Sequence, residues 1–189
     1  MGLDTNGIKF LLYAKKNNVQ FGRALTLGRQ SYQLDKTVLE KILLKNGYSS
    51  DDFESLIQEY VYVEPLLHKL GATEVHSMDA STYESASIIH DLNTPVPTSL
   101  KQQYDTVIDA GTLEHIFNFP VAIKSCMEMV ALNGHFMGIT CGNNFSGHGF
   151  YQFSPELFFR IFSAENGFEI KKIFLVVNEP GDYWYEIPD

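Results

Sequence analysis

Short β-rich runs alternate with helical stretches along most of this chain, and that alternation restricts the fold more than any other feature. It is the pattern of a parallel sheet wrapped by helices. Residues 104–109 (YDTVID) read as the clearest buried strand. Upstream, 23–27 is a strand running into Gly28-Arg29-Gln30, 74–79 ends in Asp79, and 87–90 leads into Asp91. Apolar residues at Leu34, Val38, Ile42 and Leu43 give 34–45 a helical period. Ser49-Ser50-Asp51-Asp52 caps a helix over 53–59, and Pro65 opens another that stops near Gly71. Downstream, Ala110-Gly111-Thr112 turns into a helix starting near Leu113, which Asn118 and Pro120 interrupt. A helix over 121–132, a turn at Asn133-Gly134 and a strand over 135–141 follow. After a Gly- and Asn-rich loop, Ser154-Pro155-Glu156 caps a helix reaching 165, and 168–177 is the last strand.

Composition narrows the function. At 189 residues, 44% hydrophobic and 20% charged, the chain suits one globular domain over 1–189. A net charge of −9 without a cluster of cations speaks against a phosphate backbone, so no nucleic acid is expected. Neither a membrane-spanning run nor a signal-type apolar core is seen, and Thr5 and Asn6 miss the myristoylation spacing after Gly2. The expectation is a cytoplasmic protein with no membrane association. Cys126 and Cys141 lack metal-ligand spacing and read as buried apolar residues in a reducing compartment.

Ligands of open parallel sheets bind at the carboxyl ends of the strands. Here those ends carry Gly28-Arg29-Gln30, Asp79, Asp91, and Asp109 with Gly111. One acid after a strand is as often a turn or cap residue; three acids on successive strands are a pattern. With the segments YDTVIDAGTLEHIFNFP, VALNGHFMGIT, SPELFFRIFSAENGFEI and EVHSMDAS, the chain resembles the class I S-adenosylmethionine-dependent methyltransferases over roughly 28–170. The resemblance implies a doubly wound, Rossmann-like, mostly parallel sheet with helices on both faces. It implies S-adenosylmethionine as cofactor and methyl transfer to a small-molecule or sugar acceptor. Asp79 would then take the ribose hydroxyls, with Ala80 beside the adenine. Asp91 would take the adenine amino group, with Leu92 against the ring. Gly28, Arg29, Gln30, Asp109, Ala110 and Gly111 would line the methionine end.

This sequence departs from that family at the first loop, which has one glycine where the family has GxGxG, and at 34–70, which reads as a helical insertion or lid. The family's C-terminal antiparallel pair is expected to be incomplete, since Pro180, Gly181 and Pro188 leave only Trp184 and Tyr185 for a short edge strand. A partner subunit over that edge would make a homodimer. His148, in the loop after the fifth strand, is the candidate general base, against the alternative of an exposed loop histidine. His115 is read as orienting a loop or touching cofactor. The His90-Asp91 pair lacks the further ligands a metal site needs, so no metal is expected. Two other readings stand beside the enzyme: a non-catalytic methyltransferase-like binding or assembly domain, and a different nucleotide-binding Rossmann enzyme, which the absence of GxGxxG disfavours.

Overall fold

The computed structural model describes residues 2–49, 51, 56, 61–177 and 183–189. They fall into two compact units, Met1–Thr140 and Cys141–Asp189. In the first, β1 (Gly2–Leu3), α1 (Thr5–Lys16), β2 (Gly22–Leu27), β3 (Ser31–Tyr32), α2 (Lys36–Lys45) and α3 (Glu64–Lys69) come first. They are followed by β4 (Ala72–Asp79), β5 (Ile88–Ile89), β6 (Tyr104–Ala110), α4 (Phe119–Met129) and β7 (Val130–Ile139). The second unit holds α5 (Pro155–Ile161), β8 (Phe174–Val177) and β9 (Tyr183–Glu186).

Five strands form one sheet in the order β5-β4-β2-β6-β7, every neighbouring pair parallel. The chain therefore starts at the centre, winds outward through β4 and β5, returns to β6 beside β2, and winds outward again. The expected α/β sheet flanked by helices is present. Its direction reverses between β2 and β6, the position at which open α/β sheets form their ligand crevice.

One face is covered by α1, α2 and α3. Ile8, Leu11 and Leu12 of α1, Leu39, Ile42 and Leu43 of α2, and Leu66 and Leu67 of α3 cluster with Ala24, Ile108, Ala110 and Met137 of the strands. Side chains alternate across a strand, so Leu25, Leu27, Val107 and Asp109 project to the opposite face. On that side Ala122, Ile123, Cys126 and Met129 supply the buried stripe of α4, which packs on β6 and β7.

Local chemistry explains the helix ends. The Asp4 carboxylate accepts the Gly7 N–H (2.8 Å) and caps α1, while Lys15 and Lys16 sit in its last turn against the negative end of the helix dipole. Pro65 and Pro120 occupy the first turns of α3 and α4, where a missing N–H costs nothing.

Several boundaries differ from the sequence expectation. The helix over 121–132 stops at Met129, and Val130 already pairs with Tyr104. The strand is therefore not 135–141 but Val130–Ile139, and Asn133, at φ +63°, lies in an irregular stretch where the register slips instead of in a connecting turn. Leu113–His115 makes a single 3₁₀ turn. The helix expected to reach 165 ends at Ile161, and a separate 3₁₀ turn, Ala164–Asn166, follows before Gly167 at φ +79°. The strand over 168–177 shrinks to Phe174–Val177. The C-terminal antiparallel pair expected to be incomplete is present: Phe174–Val177 pairs with Tyr183–Glu186, which includes Trp184 and Tyr185, as a two-stranded sheet of its own, because Pro188 falls beyond the end of the strand. The third strand reduces to Ile88–Ile89, tied to Met78 and Asp79. Apart from Leu56, which is helical and buried, the helix over 53–59 lies outside the described residues. Both cysteines are free thiols and buried.

Candidate functional site

The crevice between β2 and β6 is built from two loops. After β2, Gly28 takes φ +69° and donates its N–H to Met78 O on β4 (2.6 Å). The left-handed backbone there suits a residue without Cβ. After β6, Gly111 takes φ +84° and donates to Ile139 O on β7 (3.0 Å). Each glycine thus turns the chain off the sheet while remaining stitched to the neighbouring strand.

The two residues after Gly28 point in different directions. Arg29 leaves the crevice. Its Nε meets Glu64 Oε1 at 2.7 Å, its Nη1 donates to Glu84 O, and its guanidinium lies 3.8 Å from the Tyr62 ring centroid. Arg29, Tyr62 and Glu64 line a shallow cavity of about 490 Å³ with Val61, Pro65 and His68. Gln30 turns inward and is 1% exposed. Its Nε2 donates to Leu27 O at 2.6 Å, and its Oε1 is buried with no hydrogen-bond partner among the described residues.

On the β6 side, Asp109 is 1% exposed. Its Oδ1 accepts the N–H groups of Thr112 (3.0 Å) and Leu113 (3.3 Å), so the carboxyl holds the turn after the strand. The Thr112 hydroxyl donates to Leu27 O (2.8 Å) and bridges the two loops. Glu114 is buried as well, and its Oε2 accepts the Thr140 hydroxyl (3.1 Å). Burial, followed by the nearby Glu114 carboxylate, pushes the Asp109 pKa up to about 7. Burial also drives the Cys126 thiol well above its ordinary value, with Asp109 adding to the effect. The sequence singles out His115 in this segment, but His115 is exposed and the buried group is Glu114. The signal for Glu114 is its place one turn after a strand-end acid, on a 3₁₀ turn.

Asp79 and Asp91 occupy the carboxyl ends of the next two strands and stand at the rim. Asp79 Oδ1 accepts from the Ser81 N–H (2.9 Å) and hydroxyl (3.2 Å), an Asx-type turn that presents the carboxylate beside exposed Ala80. Asp91 Oδ1 takes both the backbone and the side-chain N–H of Asn93, and these bonds hold its pKa below the ordinary value. Leu92 is buried. The loop is fixed from outside by Asn118, whose N–H donates to Asn93 Oδ1 and whose side chain donates to Asn93 O. His90 donates its N–H to Asp79 O (2.8 Å), which couples the two rim acids through backbone.

Gly28, Gln30, Asp109, Ala110 and Gly111 thus come together at the crevice, with Asp79, Ala80, Asp91 and Leu92 in order along the adjoining strand ends. Arg29 belongs to the clasp on α3 instead. His148 lies in the second unit, in an exposed loop, with its ring 5.6 Å from Phe145 in an edge arrangement. In that loop the Phe145 N–H donates to Gln152 Oε1 (2.9 Å). Comparison with protein-family models, curated proteins and solved structures finds no match to this chain.

Proposed function

We propose that the chain is an S-adenosylmethionine-dependent methyltransferase acting on a small-molecule or glycan-like acceptor. The observation that carries this reading is the series of carboxylates on consecutive parallel strand ends, with a left-handed glycine on each side of the reversal point. The donor set suits the cofactor. Both hydrogen bonds on Asp79 fall on Oδ1, which leaves Oδ2 for a ribose diol; an ionised carboxylate takes such donors well. Asp91, ionised at neutral pH, suits an exocyclic amino group. When bound, the cofactor supplies an activated methyl group, so the protein needs chiefly to hold acceptor and methyl in line. A reaction of that kind accommodates a site without a conspicuous catalytic side chain.

The filled crevice at Gln30 favours a second reading, a methyltransferase-like binding domain without turnover. Titration with S-adenosylhomocysteine separates the two at the first step. At ligand concentrations ~100 times the dissociation constant, the melting transition should gain about 2.7 kcal/mol. Asp79→Ala should weaken binding by roughly 1.5–3 kcal/mol, the range for hydrogen bonds to a charged group. No shift at millimolar ligand rules the enzyme reading out. A variant that binds as tightly as wild type reduces Asp79 to a turn residue.

A further inference from the structure

We infer that the Gln30 side chain is a plug: it occupies the ligand crevice at the reversal point and must swing out before a ligand can seat there. The inference rests on the cofactor reading above and concerns access to it. Geometry places the plug. Gly28 N–H points toward β4, where it meets Met78 O. A trans peptide directs the preceding carbonyl the opposite way, so Leu27 O faces β6. That one oxygen receives Gln30 Nε2 at 2.6 Å and the Thr112 hydroxyl at 2.8 Å. The Gln30 amide therefore lies between the ends of β2 and β6, the place where open α/β sheets take their ligands.

Its state is that of a displaceable group. Gln30 is buried to the same degree as core leucines, yet only one end of its amide is bonded. A buried acceptor left without a donor is costly, and water or a ligand restores the missing bond once the side chain moves. Thr112 stays on Leu27 O after Gln30 departs, so that carbonyl is not abandoned. The loop backbone is anchored independently. Gln30 O accepts the Val63 N–H (3.0 Å), and Arg29 is held by Glu64 and Glu84. Rotation of the Gln30 side chain thus opens the crevice without unravelling the turn.

Two substitutions test the plug against a purely polar role. Gln30→Ala removes the bulk; Gln30→Leu keeps it and removes the amide. Calorimetric titration with S-adenosylhomocysteine should find Gln30→Ala binding about tenfold tighter than wild type, equivalent to ~1.4 kcal/mol. Gln30→Leu should bind no tighter than wild type. Melting curves of the ligand-free variants establish that each is folded, and Gln30→Gly replaces Gln30→Ala if the latter is not. Equal or weaker binding by Gln30→Ala overturns the plug while leaving the cofactor reading intact. Tighter binding by both variants overturns it too, because the amide and not the bulk would then be the obstacle. No binding by wild type or any variant overturns the plug together with the cofactor reading.

Discussion

The folded protein should lose about 4 kcal/mol of stability as pH rises from ~4 to ~7, through Asp109 alone. Its pKa is about 7 in the fold against an ordinary 3.8. Between those values the unfolded chain has released the proton and the folded chain still holds it. The folded state binds more protons across the window, so stability falls with rising pH and levels off once the folded group has also ionised. Each tenfold change in proton affinity is worth about 1.4 kcal/mol, which sets the magnitude. Asp91 and Glu165 work in the opposite sense: hydrogen bonds in the fold hold their pKa values down, so their contribution is lost as pH falls through the folded values. Denaturant melts of wild type and Asp109→Asn across pH 4–8 check the assignment. The asparagine keeps an oxygen for the Thr112 and Leu113 N–H groups and carries no proton to lose. Its profile should be flatter, and at pH 8 it should be the more stable protein. A slope identical to wild type would falsify the role given to Asp109.

Leu11→Ala should cost about 2–5 kcal/mol, the range for deleting a buried leucine side chain. Leu11 is 0% exposed and sits in the cluster that joins α1 to α2, α3 and β6. For a protein of this size the loss corresponds to roughly 4–20 °C in melting temperature. Leu132→Ala is the control. That side chain is 88% exposed on β7, and its truncation should stay within about 0.5 kcal/mol. If the two variants melt alike, α1 is not part of the load the core carries.

The contrast between these residues shows what the sequence discloses. The strands 23–27, 74–79 and 104–109 are legible because their apolar runs end in glycine or acid, and the sheet confirms all three almost to the residue. The α1 helix is harder to read. Asn6 and Gly7 are weak helix formers in its first turn, and its stability comes from a buried stripe that exists only once α2 and α3 are docked. The start of β7 is hidden for another reason. Val130, Ala131 and Leu132 continue the apolar period of the preceding helix, and only pairing with Tyr104 decides that they extend.

The candidate site divides along the same line. Position along the chain discloses which residues stand at strand ends; it does not disclose which way a side chain turns there. Asp79, Asp91 and Asp109 look equivalent in the sequence, yet Asp91 lies open to solvent and Asp109 is sealed beneath α4. Gln30 looks like a polar loop residue until the direction of one carbonyl is known.

Arg29 has a consequence for anyone redesigning this protein. Its guanidinium joins three stretches distant in sequence: the loop after β2, the start of α3, and the segment between β4 and β5. Grafting a glycine-rich loop over residues 28–31 would widen the crevice and, by the same stroke, unmoor the first turn of α3 at Glu64. A workable graft keeps the arginine, or supplies another cation to Glu64 and Tyr62 from α3 itself, so that access to the crevice can be tuned without loosening the wall beside it.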